Sequence, residues 1–477
     1  MRRIRVLALL LLSGALVACG HAGRRETGTV EKITLWHYYK GEQKKSLDAA
    51  LKQYNEGEGR KHGIEVDAVC SGSLFDLEND ISAIMENHPV SGELPNIIMC
   101  YSGLANRLDK RGMLENLAPY FTGAELERFV DSYLSEGMLS GSRKDIKILP
   151  LAKSTEVLYL NETDWERFSE ETGAELGKLS TMEGIAELSE LYYRWTDEKT
   201  PEPNDGKAFF GRDDIPNFLY ISGKQLGIDV LSAGEGDHAA INFPRQLAER
   251  LWQSYYIPYI KGYFASGARY HSDDIKTGNV LCYVSSSAGA SYFPKRVILS
   301  DTERYPIQCR VLAAPKLAGG MDFAIQQGAG MAVLKGSKAE AAAAVEFLKW
   351  LSGGTQNIRF AVNAGYLPVE KTAASEAEIL AAVPEIRLTD AIQVGLETVQ
   401  DNELYTTPPV QNAGRIRKGV GRILSEQAEE NRRLLSERLA AGQSMEAAEA
   451  GLTGEESFER WYNTVSEKLQ GLAASED

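Results

Sequence analysis

Short apolar segments that alternate with amphipathic helix patterns are the feature of this sequence that most constrains its fold. Strand-like runs occur at KITLWHYY, HGIEVDAVC and LPNIIMC, and the residues between them, 41–59 and 74–88, repeat apolar side chains at helical spacing. Strands that alternate with helices predict a parallel sheet covered by helices on both faces. A chain of 477 residues is long enough for two such lobes, each with its own core. The predicted fold class is therefore α/β.

The carboxyl ends of the predicted strands carry aromatic and hydroxyl side chains. In an open α/β sheet the ligand crevice lies outside these ends. The side chains concerned are Trp36, His37, Tyr38, Ser71, Ser73, Tyr101 and Ser102. A set of this composition predicts a binding edge rather than a catalytic one.

The first 19 residues have the pattern of an export signal. Three arginines lie within residues 2–5, and an apolar run over 6–17 follows that is too short to span a bilayer. The junction LVAC resembles the lipobox of bacterial lipoproteins, which implies removal of residues 1–18 and lipidation of Cys19. An ordinary signal peptide that contains a cysteine is the alternative. Residues 19–30 are polar and contain glycine, so they suit a flexible tether.

The charge of the chain argues against one class of partner. The formal net charge is −15, and loss of the three arginines of residues 1–18 would make it about −18. A protein this acidic is a poor candidate for binding nucleic acid, since the phosphate backbone requires lysine and arginine. We attribute the acidity to solubility.

The four cysteines beyond the signal leave two interpretations open. Cys70, Cys100, Cys282 and Cys309 could form two disulfides in any of three pairings. Each lies in or at the end of an apolar run, however, where a free thiol behaves as a small hydrophobe. We favour unpaired thiols in the core, since a chain of this size does not need disulfides to fold.

Catalytic motifs are scarce. The sequence contains no His-Glu-x-x-His, Gly-x-Ser-x-Gly, Gly-x-Gly-x-x-Gly, P-loop or Cys-x-x-Cys pattern. A glycosidase pair of carboxylates stays open as an alternative, because any fold can bring two acidic residues together. The loop over 204–214 has acidic residues that could bind calcium, but without EF-hand spacing a solvated turn is the preferred interpretation. We expect no cofactor.

Six segments in a fixed order resemble a known family. They are ITLWHYYKGEQKKSLDAALKQYNE, LPNIIMCYSGLANRLDKRGMLENLAPYF, KILPLAKSTEVLYLN, VLAAPK, GAGMAVLKGSKAEAAAAVEFLKWL and NAGYLPV. Together they span the chain beyond the signal, and they resemble the family 1 extracellular solute-binding proteins of ATP-binding-cassette importers.

The resemblance implies two α/β lobes, each with a mostly parallel sheet, joined by hinge crossovers with the ligand between them. The N-terminal lobe would comprise 30–152 plus 311–362, and the C-terminal lobe 153–310 plus 363–477. In the family's sheet the first strand lies between the second and the third. Cys70 and Cys100 would then be two strands apart, which is too far for a disulfide.

The resemblance also implies ligand-binding positions. Trp36, His37, Ser71 and Tyr101 would come from the first lobe, and Ser154 and Thr155 from the crossover. From the second lobe and the later segments the expected positions are Phe210, Ser285, Ser286, Gly328, Gly330, Tyr366 and Arg415. The loop SSSAGASYF departs from the Gly-Trp or Gly-Pro pattern of the family. Trp36 and Phe210 could instead be core residues, and Arg415 a surface residue.

The function implied is that of a monomeric receptor that is not an enzyme. It would capture a small polar ligand, in the first instance a carbohydrate, and deliver it to the permease subunits of an importer. The lipid on Cys19 would hold it on the outer face of the cell membrane, most simply in a bacterium without an outer membrane. An exported carbohydrate-active enzyme is the main alternative, and a surface scaffold that has lost ligand binding is a third.

Overall fold

The computed structural model describes residues 30–86, 94–234, 237–266, 270–372, 376–382 and 386–475. The predicted signal peptide and Cys19 lie outside these residues. Within them, no helix has the length and apolar character that a bilayer crossing requires.

The strands and helices alternate through most of the chain. The strands are β1 (Glu31–His37), β2 (Ile64–Cys70), β3 (Ile97–Cys100), β4 (Glu156–Asn161), β5 (Phe210–Arg212), β6 (Leu231–Ala233), β7 (Ala239–Ile241), β8 (Cys282–Ser286), β9 (Arg296–Ile298), β10 (Arg304–Pro306), β11 (Cys309–Ala313), β12 (Phe323–Ile325), β13 (Gly330–Val333) and β14 (Glu403–Tyr405). The helices are α1 (Gly41–Glu56), α2 (Glu58–His62), α3 (Leu74–Met85), α4 (Ser102–Lys110), α5 (Gly123–Glu127), α6 (Asp131–Ser135), α7 (Glu162–Thr172), α8 (Met182–Asp197), α9 (Ile215–Gln225), α10 (Arg245–Leu251), α11 (Ile257–Ile260), α12 (His271–Thr277), α13 (Lys338–Ser352), α14 (Gly354–Asn363), α15 (Glu376–Ala382), α16 (Ile386–Asp401), α17 (Ala413–Ala440), α18 (Met445–Glu449) and α19 (Glu455–Ala474).

The first sheet has the strand order β13-β3-β1-β2. Strand β1 pairs in parallel with both β2 and β3, so it lies between them as the resemblance implied. Cys70 and Cys100 end two strands that are separated by β1, and both are free thiols, as is Cys282. Cys100 and Cys282 are buried, but Cys70 is exposed because β2 is the edge strand and its last residues leave the core.

The second sheet has the order β11-β4-β8-β5 and is mixed rather than mostly parallel. Only β5 and β8 are parallel, whereas β4 is antiparallel to both β8 and β11. The direction of β4 follows from its position in the chain. It enters from the first lobe at the edge where β8 ends, with Glu156 opposite Ser286, and therefore runs away from that edge. Strand β13 is antiparallel to β3 for the same reason.

The chain returns to the first lobe later than the sequence indicated. The expected boundary at residue 311 falls inside β11, and all of Cys309–Ala313 pairs with β4 in the second sheet. The apolar pattern of this segment predicts a strand but does not reveal which sheet the strand joins. Its pairing partner is 150 residues away in the sequence, so only the tertiary fold decides.

The second core contains most of the aromatic side chains that the sequence placed on one helical face. In the sequence, Trp252, Tyr255, Tyr256, Tyr259 and Tyr263 follow helical spacing, which predicts that most of them face the core, and all five are buried. The helix carrying the first three has a π-helical turn over Trp252–Tyr256. Helices α17 and α19 complete this core, in which Trp461 of α19 is fully buried.

Three connections between the lobes run side by side. Strands β12 and β14 form a parallel pair, with Phe323 opposite Glu403. The crossover before β4 pairs with the segment after β12, since the backbone amides of Ser154 and Gln327 each donate to the carbonyl oxygen of the other, at 3.0 and 2.8 Å. These connections bring the ends of both sheets to a common edge, where the candidate site lies.

Candidate ligand-binding cleft

Two cavities open between the lobes at this edge. Cleft cavity A has a volume of about 510 Å³ and cleft cavity B about 290 Å³. Cavity A is lined by Tyr38, Lys40, Gln43, Asp213, Tyr270, Ser272, Asp273, Tyr283, Ser285, Ser286, Ala288, Gly289, Tyr292 and Tyr366. Cavity B is lined by Leu74, Glu78, Tyr101, Ser102, Gly103, Glu136, Asp214, Asn217, Tyr220, Ile325, Gln326, Gln327, Thr406, Thr407, Pro408, Ala413, Gly414 and Arg417.

Aromatic rings and hydroxyl groups dominate cavity A. Tyr270 and Tyr292 of the second lobe are exposed, with 52% and 61% of their surface accessible. On the opposite wall, the Tyr366 hydroxyl accepts a hydrogen bond from Gln43 Nε2 at 3.2 Å. Exposed aromatic faces beside fixed polar groups suit a ligand that has both an apolar face and a polar edge.

A pair of tyrosines separates the two cavities. Tyr38 lines cavity A and Tyr101 lines cavity B, and the two phenols lie close enough to influence each other electrostatically. Burial raises the pKa of both phenols above the usual value. Both groups therefore remain protonated and neutral at physiological pH.

Arg417 contributes the cationic group of cavity B. Its guanidinium donates to the Asp214 carboxylate and to Asn217 Oδ1, the latter at 2.7 Å. Asn217 Nδ2 in turn donates to Glu156 Oε1 at 2.9 Å, and Glu156 is paired with Arg212 inside the second lobe. The arginine is thus held in one orientation by a chain of charge-assisted hydrogen bonds.

A second ion pair supports the other wall of cavity B. Lys153 donates to the Glu136 carboxylate and, at 2.6 Å, to the carbonyl oxygen of Gly328. Gln326 Nε2 donates to the same carboxylate at 3.0 Å, which fixes the orientation of the amide. Its Oε1 is then left without a partner among the described residues, although Gln326 is only 7% exposed. Gln326 therefore lines cavity B with its amide held in one orientation by Glu136.

Several residues predicted from the resemblance line these cavities. Ser285, Ser286 and Tyr366 line cavity A, and Tyr101 lines cavity B. Ser154 lies beside them, because its hydroxyl accepts a hydrogen bond from Ser286 Oγ at 3.1 Å. The structure therefore brings residues from both lobes and the crossover to one cleft.

Thr155 faces a different space. It lines a hinge cavity of about 490 Å³ that is bordered by the connections between the lobes and by the second lobe. The hinge cavity has mainly apolar walls, including Leu179, Ile221 and Phe323.

Trp36 and Phe210 are located where the alternative interpretation put them. Trp36 packs against the apolar cluster between β3 and α3 and α4, and it lines neither cleft cavity. Phe210 belongs to strand β5 rather than to a loop, is completely buried, and contacts Phe264 edge-on at 4.9 Å between ring centroids. Neither ring lines a cleft cavity, so the structure favours the core interpretation for both residues.

Arg415 also lies away from the cleft. Its guanidinium donates to the hydroxyl and carbonyl oxygens of Ser475, at 2.6 and 2.5 Å, beyond the end of α19. Arg417, two residues later on α17, points to the opposite side, since two helical residues differ by about 200°. Of the two arginines, Arg417 and not Arg415 lines cavity B.

Each of Gly330, Gly328 and Ser71 has a role in the packing or hydrogen bonding of the fold itself. A Cβ at Gly330 would lie 2.3 Å from Ile148 Cγ2, so close packing requires glycine there. The Gly328 carbonyl is engaged by Lys153, and its φ of 93° favours glycine. The Ser71 amide donates to the His37 carbonyl at 2.9 Å, and Ser71 lines neither cleft cavity.

His37 is buried beneath the cleft, only 1% exposed, and its Nδ1 accepts a hydrogen bond from the Tyr39 amide at 3.0 Å. Burial lowers the pKa of His37 to about 4. The unfolded chain, where histidine titrates near its usual value, binds more protons between about pH 6.5 and pH 4. Stability from neutral His37 is therefore present above about pH 6.5 and lost as the pH falls through this window.

We expect His37→Asn to weaken this pH dependence, because the asparagine Oδ1 can accept the same hydrogen bond but does not titrate. The measurement is the free energy of unfolding by urea between about pH 7 and pH 4. His238→Asn, at an exposed histidine, is the matched control. An identical pH profile for wild type and His37→Asn would contradict the assignment.

Arg417, Gln326, Tyr270 and Tyr292 also line the cleft, although none of them was predicted from the sequence. Tyr292 belongs to the loop SSSAGASYF. The resemblance of this loop's position to the family's site loop could have indicated that Tyr292 lies in the cleft. Asp213 and Asp214 of the acidic loop also line the cleft. Among the described residues, no group of three or more histidine, cysteine or acidic side chains is arranged to hold a metal ion.

Several solved structures share this fold at low sequence identity. The cyclic α-maltosyl-1,6-maltose binding protein of Arthrobacter globiformis is 17% identical, with a TM-score of 0.64 over 94% of this chain and 99% of that one. UgpB of Mycobacterium tuberculosis, solved with glycerophosphocholine, is 16% identical, with a TM-score of 0.64 over 94% and 98%. The galacto-N-biose/lacto-N-biose I-binding protein of a Bifidobacterium longum ABC transporter is 16% identical, with a TM-score of 0.59 over 93% and 98%.

The family assignment comes from a sequence profile. No curated protein sequence matches the chain significantly. The profile of the bacterial extracellular solute-binding proteins matches residues 49–386, which is more than half of the chain. The match covers both sheets except for β1 and includes much of the lining of both cleft cavities. The chain belongs to the bacterial extracellular solute-binding protein family.

Proposed function

We propose that this protein is the receptor of an ABC importer and binds a carbohydrate between its two lobes. The observation that carries the proposal is the composition of cavities A and B, which combine exposed tyrosine rings with fixed hydrogen-bonding groups from both lobes. A sugar ring has an apolar face that packs on aromatic rings, and each hydroxyl can both donate and accept a hydrogen bond.

The charges of cavity B support an uncharged sugar unit in that part of the cleft. Arg417 is paired with Asp214, and Glu136 with Lys153. Paired side chains offer oriented donors and acceptors without a large net charge, which suits hydroxyl groups better than a phosphate. Two of the structural neighbours are described as sugar-binding proteins, and a third was solved with glycerophosphocholine. A glycerophosphodiester is therefore the comparison ligand.

The proposed mechanism is closure of the lobes about the three connections. The lobes would be 30–152 with the segment from β13 onward to 362, and 153–313 with 363–477, joined by 314–329. Contacts between the lobes at the end of cavity B favour the closed form. Asn106 Nδ2 of α4 donates to Asp237 Oδ2 at 2.5 Å, and Lys110 pairs with the same carboxylate. A ligand that contacts both lobes would add to these contacts and shift the population toward closure.

The delivery step and the anchor are further parts of the proposal. The closed form would dock on the permease subunits, and lipid on Cys19 would keep the receptor at the same membrane. The protein would act as a monomer and need no cofactor.

A thermal-shift screen tests the carbohydrate assignment. Mono- and oligosaccharides are compared with glycerophosphodiesters and polyamines. We expect at least one carbohydrate to raise the melting temperature, since a ligand at about 100 times its Kd stabilises the native state by about 2.7 kcal/mol. The same samples are analysed for ligand hydrolysis.

Three results would contradict the proposal. A rise in melting temperature with a glycerophosphodiester or a polyamine alone would show that the ligand belongs to that class and is not a carbohydrate. No shift with any carbohydrate would remove the support for sugar binding. Cleavage of a glycan by the protein would favour the alternative of a carbohydrate-active enzyme.

A further inference from the structure

A third cavity on the second lobe adjoins cavity A. This outer cavity, of about 370 Å³, is lined by Ser272, Asp273, Lys276, Ser291, Tyr292, Phe293, Pro294, Lys295, Arg296 and Ile298. Ser272, Asp273 and Tyr292 also line cavity A. The two cavities therefore share a wall, and a ligand that extends out of cavity A along the second lobe enters the outer cavity.

The outer cavity differs from the cleft in charge. Lys276, Lys295 and Arg296 line it with a single carboxylate, that of Asp273. Cavity A has one cation, Lys40, and two carboxylates. The protein as a whole has a net charge of −15. The outer cavity therefore has an excess of positive charge, whereas the chain as a whole is acidic.

Two of these cations are available to a ligand. Lys276 and Arg296 are exposed, and in the described part of the chain neither forms an ion pair or a side-chain hydrogen bond. They reach the cavity from different elements, Lys276 from α12 and Arg296 from β9. An anionic group between them would contact both.

Tyr292 connects the cleft with the outer cavity. Its ring is 61% exposed and lines both cavities. Its hydroxyl reaches across to the first lobe, where a Cβ at Gly41 would lie 3.5 Å from it. A sugar unit packed on this ring would have one neighbour in cavity A and the other beside Lys276 and Arg296.

We propose that the outer cavity binds the carboxylate of a uronic acid unit in an oligosaccharide whose adjacent units occupy cavity A. This inference rests on the proposed carbohydrate-binding function and specifies its ligand as an acidic oligosaccharide. Lys276 and Arg296 contact the carboxylate, and Tyr292 packs against the ring of the preceding unit.

Titration calorimetry with matched ligand pairs tests this assignment. Xylo-oligosaccharides and gluco-oligosaccharides are each compared with the same backbone carrying one glucuronic acid unit. We expect the acidic member of the bound pair to have a Kd about fivefold lower, a size typical of two solvent-exposed ionic contacts. The preference is expected to disappear when sodium chloride is raised from about 50 mM to about 500 mM.

The variant Lys276→Gln/Arg296→Gln is expected to bind both members of a pair with the Kd of the neutral one. Lys32→Gln/Lys52→Gln, which removes two exposed cations of the first lobe, is the matched control and should keep the preference. The melting temperature of each variant verifies that it is folded.

The remaining outcomes distinguish failure of the outer subsite from failure of the proposed carbohydrate-binding function. The outer subsite would be overturned if neutral and acidic members bound equally, or if the preference survived Lys276→Gln/Arg296→Gln. Neither result would contradict the proposed carbohydrate-binding function. Failure of every oligosaccharide to bind would overturn the proposed function, and the subsite with it.

Discussion

Replacing Lys153 with alanine is expected to lower the free energy of unfolding by about 3–5 kcal/mol. The side chains of Lys153 and Glu136 are 1% and 4% exposed and form an ion pair behind cavity B. Removal of the ammonium leaves the buried Glu136 carboxylate with Gln326 as its one side-chain donor among the described residues, and it frees the Gly328 carbonyl. A buried charge without its counter-ion is far more costly than a lost surface contact.

Urea denaturation of Lys153→Ala measures this effect. Lys44→Ala removes one partner of an exposed pair in α1, with Lys44 and Asp48 46% and 51% exposed, and should cost at most about 0.5 kcal/mol. The double variant Lys153→Met/Glu136→Leu removes both charges and should recover most of the loss. A Lys153→Ala protein within about 1 kcal/mol of wild type would show that the pair is not buried as described.

Replacing Arg417 with alanine is expected to raise the Kd for the ligand by about 10- to 100-fold, the size of one or two charge-assisted hydrogen bonds. Arg417 is the only arginine or lysine among the residues that line cavity B in the described chain. Its loss also leaves Asp214 unpaired beside the ligand. Calorimetry with the carbohydrate that gives the largest thermal shift provides the Kd.

Arg415→Ala is the matched control, since it is the same substitution two residues away on the same helix. We expect a change in Kd of less than about twofold, because Arg415 contacts Ser475 outside the cleft. Weaker binding by Arg415→Ala with no effect of Arg417→Ala would reverse the assignment and restore the residue that the resemblance implied.

The two arginines illustrate a limit of sequence reasoning. The buried residues of α17 near its start, Ile416, Val420 and Leu424, define one apolar stripe. Arg415 and Arg417 flank Ile416 on opposite sides, about 100° from it in each direction. Helical periodicity identifies the stripe, but it does not determine which flank faces the first lobe.

The surroundings of Phe210, Trp36 and Cys70 also depend on contacts between segments that are distant in the sequence. Phe210 and Trp36 are aromatic residues at strand positions, and either a core or a ligand would accommodate them. Whether the ring lies in the core or faces a ligand depends on the strand or helix that covers it. For Phe210, the covering residue is Phe264, which is 54 residues away in the sequence. Cys70 has an apolar neighbourhood in the sequence but lies on an edge strand, so it is exposed.

The sequence by itself determined the α/β class, the order of the first strands and helices, and the inward face of the aromatic helix around Trp252. These features depend on local periodicity, which the burial of apolar side chains imposes on each segment separately. The tertiary structure alone decided the antiparallel direction of β4, the sheet to which β11 belongs, and which of Arg415 and Arg417 lines cavity B. These depend on contacts between segments distant in the chain, and local periodicity contains no information about them.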